Sequence, residues 1–309
     1  MALGPGDDCA LLDIPLNMQL AVSSDTLVAD CHFPNQINPY DLGFRCLAAN
    51  LSDLAAMGAM PAWFSLCLTL PQAAPQFLQG FAAGLSTLAQ TEGISLIGGD
   101  ITRGPLSISI QVMGLVPRGE ALTRRGAQVG DLVVVSGSLG DSATGLQLLQ
   151  QGDSQNNHQN WLVQRFCRPS ARIRLGQHLR GLAHAAIDIS DGLLQDLSHI
   201  LKASQLGVDL ELAQLPLSNA LQNELDLEQA QQQALFGGED FELCFTLAAN
   251  RRPVLAQLSK NLDLALTVIG SIRAKPGYRC VDSDGCEIKL TGQGYQHFYE
   301  PTTNHEPYS

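Results

Sequence analysis

The sequence predicts an α/β (α+β) protein of two domains. The chain has 309 residues, which is long for a single compact core. Segments with the apolar spacing of helices and of strands alternate through both halves of the chain. The loop "VPRGEALTRRGAQVG" lies between the two alternating series, so we place the domain boundary near residue 120 and expect domains at 1–120 and 121–309.

The first half contains one helix whose two ends are marked in the sequence. Asn38 and Pro39 form a helix-start signal, apolar residues follow at helical spacing through Met57, and Gly58 marks the stop. Asp53 lies in the C-terminal half of this helix. The other elements predicted for this half are strands at 62–70, 94–99 and 106–116 and a helix at about 75–91.

The second half begins with a strand at 131–137, followed by a glycine-rich turn and a helix at 138–150. A Gln- and Asn-rich stretch at 151–160 is predicted to be a loop between helices. The remaining predicted elements are a helix ending near 183, a strand at 185–190, a helix at 191–203, and strands at 208–212, 241–247 and 264–272. The sequence shows no fixed-period repeat and no coiled coil.

The composition is that of an ordinary globular protein, with 45% hydrophobic and 16% charged residues. The formal net charge of −12 argues against a nucleic-acid backbone or an anionic membrane surface as the main partner. The eight cysteines form no CxxC pair, so we expect reduced thiols in a cytoplasmic protein. No apolar run reaches membrane-spanning length and no signal-peptide pattern is present, so we expect neither membrane insertion nor secretion.

Carboxylates recur after small or hydroxyl residues at the ends of apolar segments. Through position 100 there are nine acidic residues, against Arg45 as the only Lys or Arg. A solvated acidic surface would explain this asymmetry, and a single carboxylate of this kind is usually a turn residue or a helix N-cap. Six such segments in one chain with few charges instead favour carboxylates that converge on divalent cations. They are GPGDD (4–8), VSSDT (22–26), NLSDL (50–54), IGGDIT (97–102), DISDG (188–192) and GGEDFE (237–242).

The chemistry of these segments indicates a site for Mg²⁺ and phosphate. Mg²⁺ prefers oxygen ligands and usually takes one or two protein carboxylates, with water and substrate phosphate in its other positions. Neighbouring glycines let backbone N–H groups approach phosphate oxygens. Asp53 lies in a mostly apolar helix, where a carboxylate is costly to bury unless it is paired or bound to a metal.

Several common nucleotide-binding and catalytic motifs are missing from the sequence. It has no P-loop, no protein-kinase HRD or DFG, no Rossmann GxGxxG and no GxSxG elbow. Only four lysines occur, none in a glycine loop, so metals and arginines must neutralise any phosphate charge. Arg103 and Arg124 are candidates, although each could equally be a surface residue. His32, in "DCHFP", is taken alone more often a loop histidine than a catalytic one.

Eight segments, in order and at matching separations, resemble the thiamine-monophosphate kinase family. Among them are "GPGDDCALL", "DLGFRCLAANLSDLAAMGAMP", "LIGGDITRGPLSISI", "AIDISDGLLQDLSHILKAS" and "GGEDFELCFT". "NLSDLAAMGA" and "GGEDFEL" make this resemblance more specific than one to the wider aminoimidazole-ribonucleotide-synthetase-like superfamily. It covers Leu3 to about Phe298. It implies an N-terminal α/β domain that binds ATP and Mg²⁺ and whose sheet pairs across a homodimer, and a C-terminal α/β domain that completes the active site.

The resemblance also implies an activity and a set of site residues. The reaction is direct in-line transfer of a phosphoryl group from ATP to thiamine monophosphate, giving thiamine diphosphate, with several Mg²⁺ ions and no phosphoenzyme residue. The positions matching thiamine monophosphate contacts are His32, Glu239 and Tyr295. Those matching ATP contacts are Gly99, Asp100, Arg124 and Ser190. Those matching Mg²⁺ ligands are Asp8, Ser23, Ser24, Asp25, Asp53, Asp100, Asp188 and Asp191.

Some positions depart from the family's usual pattern. Ser24 stands where Thr is usual, Asp30 where Gly is usual and Ile101 where Thr is common, Pro5 alters the first loop, and the chain starts almost at that loop. We expect none of these four residues to abolish activity, and regard the short start as the one departure able to do so. Two alternatives stay open: another ATP-dependent enzyme of the same superfamily, and a non-catalytic nucleotide-binding homologue. The intact carboxylates argue against the second.

Overall fold

The computed structural model describes residues 4, 6, 8–152, 156–282 and 286–288. The N-terminal half forms a four-stranded sheet in the order β1-β4-β2-β3, in which β2 and β3 are parallel and the other neighbours antiparallel. Helix α1 covers one face of this sheet, and α2 packs against α1. The strands are β1 (Met18–Val28), β2 (Met60–Leu70), β3 (Ser95–Arg103) and β4 (Ser107–Pro117), and the helices are α1 (Pro39–Ala56) and α2 (Pro75–Glu92).

Helix α1 begins and ends close to where its sequence signals predict. The side chain of Asn38 accepts a hydrogen bond from the backbone N–H of Tyr40 at 2.9 Å, and Pro39 occupies the first turn. The helix is buried on nearly all sides, as expected for an apolar helix inside a protein. A Cβ atom at Gly43 would lie 2.1 Å from the carbonyl oxygen of Phe81, so glycine is what allows α2 to cross α1 closely.

The C-terminal half forms a seven-stranded sheet in the order β11-β10-β7-β9-β5-β8-β6. Its neighbouring strands are antiparallel except for the parallel pair β7 and β10. The strands are β5 (Leu132–Ser136), β6 (Ala185–Ile189), β7 (Gly207–Glu211), β8 (Glu242–Leu247), β9 (Leu266–Arg273), β10 (Gly277–Val281) and β11 (Glu287–Ile288). The helices are α3 (Asp141–Gln151), α4 (Asn157–Cys167), α5 (Ile173–Leu179), α6 (Leu193–Ser204), α7 (Asn219–Glu224), α8 (Leu227–Phe236) and α9 (Arg252–Leu262).

Several predicted elements differ from the observed ones, and the strand predicted at 94–99 extends to Arg103 as β3. The loop predicted at 151–160 is too long, because Asn156 caps α4 by accepting from the backbone N–H of Gln159 at 2.9 Å. The helix predicted to end near 183 is α5, which ends at Leu179. Helices α7, α8 and α9 and strands β1, β10 and β11 are absent from the predicted elements, although Asp226 forms a capping box at the start of α8.

Helix α1 joins the two domains. It contacts β1, β2 and β4 on one side and α4, α5, β6 and β8 on the other. One apolar core therefore runs from the N-terminal sheet to one face of the C-terminal sheet, and a second core covers the opposite face of that sheet. A cleft remains where α1 and β1 meet the end of β6 and the loop before β8. None of the described helices combines the length and the apolar character needed to cross a bilayer.

Candidate active site

A cavity of about 280 Å³ lies in the cleft between the domains. Its wall combines carboxylates from both domains with an apolar part formed by Leu27, Ala49 and Phe241. The structure brings the following predicted site residues to this wall: Ser24, Asp25, His32, Asp53, Asp188, Ser190, Asp191 and Glu239. We call this the acidic cavity.

A second cavity, of about 490 Å³, adjoins the acidic cavity, because Asp53 and Asp188 line both. Ser23 and Arg124, two further predicted site residues, also line it. Much of the remaining wall is apolar or small: Ala21, Val22, Leu54, Ala56, Met57, Ala186, Ile187 and Ala203. We call this the arginine cavity. The two cavities thus meet at a boundary made of carboxylates.

Strand β1 directs alternate side chains toward α1. Leu27 is buried in the core on this face, so Ser23 and Asp25 share the face by the two-residue period of a strand. The Ser23 hydroxyl donates to Oδ2 of Asp53 at 2.5 Å. The backbone N–H of Asp25 donates to Oδ1 of Asn50 at 3.0 Å. Polar contacts between β1 and α1 therefore fix both elements beside the cavities.

Strand β6 ends at the carboxylate boundary. Asp188 is buried within the strand, and the Ser52 hydroxyl donates to its Oδ2 at 2.7 Å. The turn after the strand is fixed by Asp196 of α6, whose Oδ2 accepts from the backbone N–H groups of Ser190 and Asp191, each at 3.0 Å. A buried strand and a side-chain bond from the next helix together place the predicted residues of the DISDG segment.

The carboxylates of the acidic cavity are crowded and partly removed from water. Burial first, and then the charges of Asp53, Glu239 and Asp191, raise the pKa of Asp25 to about 6. Burial likewise raises the pKa of Asp53 and the pKa of Asp188. Among the described residues, no Lys or Arg side chain forms an ion pair within 4.0 Å of Asp25, Asp53, Asp188 or Asp191. The charge of Arg124, which lines the arginine cavity with Asp53, lowers the pKa of Asp53 and so offsets part of the effect of burial.

The donor set suits a hard cation. Within the described parts of the chain, no group of three or more His, Cys, Asp or Glu side chains is arranged to hold a metal ion by itself. Mg²⁺ does not need such a group, since it usually keeps several waters and binds one or two carboxylates together with substrate phosphate. Carboxylate and hydroxyl oxygens are also the ligand types that favour Mg²⁺ over zinc or copper. The residues present therefore fit Mg²⁺.

Backbone contacts fix two side chains of the acidic cavity. Nδ1 of His32 accepts from the backbone N–H of Val28 at 3.0 Å, which places the proton of a neutral ring on Nε2. Glu239 has a left-handed backbone with φ of 70°, and its N–H donates to the carbonyl oxygen of Ser190 at 2.8 Å. The backbone of Asp30 is also in the left-handed conformation, with φ of 61°, which glycine adopts at least cost.

Several predicted residues do not line either cavity. Gly99 and Asp100 lie on β3, which is separated from β1 by two strands. Three inter-strand spacings amount to about 14 Å, so Asp100 does not reach β1 within one chain. Asp8 is exposed and does not line either cavity, and the same holds for Arg103. Tyr295 lies outside the described residues.

The structure also identifies supporting residues that the sequence reasoning missed. Ser52 orients Asp188 and Asp196 orients the turn after β6, as described above. Arg45 precedes Asp53 by eight residues on α1, and helical spacing places both on one stripe with Ala49, which lines the acidic cavity. The sequence does carry one sign that Arg45 is unusual, because it is the only Lys or Arg in the first 100 residues.

Two family models match the chain. One, described as AIR synthase related protein, N-terminal domain, matches residues 6–116, and the corresponding C-terminal domain matches residues 128–283. These matches, the two-sheet fold and the carboxylate-lined cleft define a two-domain protein of the AIR synthase related class, and the predicted fold class is confirmed.

Within that class the chain belongs to the thiamine-monophosphate kinase family. It is 49% identical to thiamine-monophosphate kinase of Escherichia coli K12 over 303 residues, which are 97% of this chain and 93% of that protein. The crystal structure of thiamine-monophosphate kinase from Stenotrophomonas maltophilia K279a superposes with a TM-score of 0.87 at 48% identity, covering 92% of this chain and 90% of that one. AaThiL complexed with AMPPCP and TMP gives a TM-score of 0.82 at 32% identity, covering 94% and 91%. The resemblance stated from the sequence is confirmed.

Proposed function

We propose that this protein transfers the γ-phosphoryl group of ATP to thiamine monophosphate, giving ADP and thiamine diphosphate. The observation that carries the proposal is the shared boundary of the two cavities, where Asp53 and Asp188 line both. In-line transfer needs a donor and an acceptor phosphate on either side of one charge-neutralising centre. The activity named for the relatives, and a neighbour complexed with AMPPCP and TMP, support these substrates.

Each substrate has a cavity that suits its chemistry. We assign ATP to the arginine cavity, because Arg124 complements phosphate charge and the apolar wall suits a purine ring. We assign thiamine monophosphate to the acidic cavity. There His32 offers an Nε2–H donor to the acceptor phosphate, Glu239 offers a carboxylate to the cationic thiazolium or the aminopyrimidine, and Phe241 offers an apolar wall. Tyr295 remains a proposed contact of thiamine monophosphate.

We propose that the carboxylates at the boundary bind several Mg²⁺ ions. When bound, Mg²⁺ neutralises charge on the phosphates and in the transition state. The chain's own contribution is to orient the ligands, since Ser23 donates to Asp53 and Ser52 donates to Asp188. The acceptor is the phosphate of the second substrate, so no covalent phosphoenzyme residue is required. The proposed ligands are Ser23, Ser24, Asp25, Asp53, Asp188 and Asp191, with Asp8 and Asp100 as further candidates.

We further propose a homodimer in which domain 1–120 binds ATP and Mg²⁺ and forms the interface, while domain 121–309 completes the site. Strands β1 and β3 are the edges of the described N-terminal sheet. Leu20 and Met60 are 39% and 47% exposed on this sheet, as expected for apolar residues at an interface. Pairing β3 of one copy with β1 of the other would bring Asp100 toward Asp25 and complete the proposed ligand set. Sedimentation of the purified protein tests this: a monomer at enzyme-assay concentration contradicts it.

Charge and thiol chemistry support the proposed location and partners. No disulfide bond joins cysteines within the described residues, which supports a reducing compartment, and we propose the cytoplasm. The net charge of −12 supports small phosphorylated substrates bound through cations, and not a nucleic acid or a membrane, as partners.

Product analysis with the full chain, ATP, Mg²⁺ and thiamine monophosphate tests the proposed reaction. We expect one thiamine diphosphate per ADP and no product when the metal is chelated. ADP formation without thiamine diphosphate would indicate another ATP-dependent enzyme of the class. Folded protein that binds ATP and turns nothing over would indicate a non-catalytic homologue. Either result overturns the proposal.

A further inference from the structure

Arg45 is a fully buried cation at the junction of the two domains. It lies on α1 and has 0% exposure. Its Nη1 donates to the backbone carbonyl oxygen of Phe166, and its Nη2 donates to Oε2 of Glu239. Its guanidinium carbon lies 3.7 Å from the centroid of the Phe166 ring and 5.8 Å from that of Phe241. The guanidinium of an N-terminal-domain residue is thus bonded to, and stacked on, groups of the C-terminal domain.

Stability alone does not account for a charge at this position. Removing a guanidinium from water is costly, and buried ion pairs often contribute no more stability than well-packed apolar residues. Nε of Arg45 has no hydrogen-bond partner within the described residues, which adds to the cost of its burial. Arg45 is also the only Lys or Arg in the first 100 residues. These facts indicate a role that an apolar side chain would not fill.

Glu239 connects Arg45 to the acidic cavity. Its side chain is 33% exposed and lines the cavity, whereas that of Arg45 is completely covered. The left-handed backbone of Glu239, bonded to the carbonyl oxygen of Ser190, sets the direction in which this side chain leaves the loop. Within the described residues, the carboxylate is bonded through Oε2 alone, to Arg45. The other oxygen, Oε1, is left for a ligand.

We propose that Arg45 is a positioning residue for thiamine monophosphate: it locks the carboxylate of Glu239 so that Oε1 is presented to the cationic or N–H-bearing rings of the substrate. This inference rests on the function proposed above. Arg45 itself does not touch the substrate. Because Glu239 is ordered before the substrate arrives, binding does not have to supply the conformational entropy of fixing it. ATP, which we assign to the arginine cavity, does not meet Glu239, so its binding does not depend on Arg45.

The test is a steady-state comparison in which each substrate is varied separately. Arg45→Met should raise KM for thiamine monophosphate about tenfold and leave KM for ATP within about twofold, because only the substrate that meets Glu239 loses preorganisation. Arg45→Lys keeps the charge but loses the planar fork, and should raise the same KM by about threefold. In a Glu239→Gln background, Arg45→Met should add less than about twofold, since it acts through Glu239.

Arg168→Met is the matched control. Nε of Arg168 donates to Oδ1 of Asp41 at 2.5 Å, so this pair also joins α1 to the C-terminal domain. Arg168 lies 4.9 Å from the ring centroid of Tyr40 and lines neither cavity. If Arg45 only holds the domains together, Arg168→Met should change the two KM values as Arg45→Met does. We expect instead that Arg168→Met leaves both KM values at their wild-type levels.

Equal increases in the two KM values of the Arg45 variants overturn the inference, as does the same KM split in Arg168→Met. If Arg45→Met does not fold, Arg45→Lys and its combination with Glu239→Gln take its place. The criterion is again whether KM for thiamine monophosphate rises while KM for ATP does not. Wild-type protein that forms no thiamine diphosphate overturns the proposed function and this inference together. Active wild-type protein whose Arg45 variants show no split overturns this inference alone.

Discussion

Two clusters that contain carboxylates in this protein differ in their ion pairing. Glu242 has 0% exposure, accepts from Arg165 Nη2 at 2.9 Å and from Arg172 Nε at 2.6 Å, and forms the structural cluster with these two arginines. The cleft cluster consists of Asp25, Asp53, Asp188 and Asp191, and none of them has such an ion pair among the described residues. Within the described residues the chain thus pairs Glu242 with its own arginines and forms no such ion pair with the four aspartates of the cleft cluster.

One short segment, GGEDFE, supplies carboxylates to both environments. Glu239 lines the acidic cavity, whereas Asp240 has 0% exposure and accepts from the backbone N–H groups of Gly140 and Ser142 at 2.7 and 3.1 Å. Glu242, two residues further on, belongs to the structural cluster. Three acids with similar sequence surroundings therefore have different roles because each points to a different part of the C-terminal domain.

The largest effect on stability is expected for Glu242→Gln. The amide keeps the shape of the side chain but removes the counter-charge of Arg172 and leaves Arg165 with the longer contact of 4.0 Å to Asp141. Breaking a buried pair in this way costs about 3–5 kcal/mol of the free energy of unfolding. Urea denaturation followed by circular dichroism measures it as a lower midpoint at an unchanged slope. A midpoint equal to that of the wild type would show that Glu242 does not stabilise the fold, and would contradict the distinction between the structural cluster and the cleft cluster.

Asp53→Asn should give the opposite pattern. We expect turnover to fall by about 100-fold or more, which corresponds to about 2.7 kcal/mol of transition-state stabilisation, because a proposed Mg²⁺ ligand is lost. The free energy of unfolding in metal-free buffer should stay the same or rise, since a like charge beside Asp25 and Asp188 is removed. Activity and denaturation are measured on one preparation. Unchanged turnover would exclude Asp53 from the ligand set, and a large loss of stability would make it a structural acid.

Local signals in the sequence predicted much of the fold. The start of α1 at Asn38 and Pro39 depends on neighbouring residues alone, and the structure agrees with it. Strand β1 was missed, because Ser23 and Asp25 occupy the positions facing α1 where apolar residues would have revealed the two-residue period. The polar residues that face the cavities therefore break the apolar alternation by which a strand is recognised in a sequence.

The six carboxylate segments could be recognised from the sequence, but the position of each acid could not. The direction of Glu239 depends on left-handed backbone angles at Glu239 and Phe241, with φ of 70° and 51°, at residues that rarely adopt them. The separation of Asp100 from Asp25 depends on strand order, which local patterns do not contain. The contact between Arg45 and Glu239 joins residues 194 positions apart, beyond the range of any helical or strand period.

Ser52→Ala tests whether the cleft cluster depends on its hydrogen-bond donors. Ser52 donates to Asp188 at 2.7 Å and does not line either cavity. Loss of this orienting donor should raise the Mg²⁺ concentration for half-maximal turnover about tenfold, as for other residues that orient metal ligands. Ser136→Ala is the control, because it removes the corresponding donor to Glu242 at 2.6 Å. The control should lower stability and leave the Mg²⁺ requirement unchanged; an equal shift in both variants would contradict the assignment.

The smallest effect is expected for Asp41→Asn, which breaks an ion pair that is neither buried nor in the cleft. Arg168, its partner, has a side chain that is 48% exposed, so water solvates the guanidinium when the pair is lost. The free energy of unfolding should change by less than about 1 kcal/mol, and turnover should not change. Denaturation at two salt concentrations measures it, because added salt screens an exposed pair and reduces the difference further. The pairs Asp41–Arg168 and Glu239–Arg45 both join α1 to the C-terminal domain. If Asp41→Asn lowers the free energy of unfolding as much as Glu242→Gln does, the stability that an ion pair contributes depends on whether it joins the domains and not on its burial.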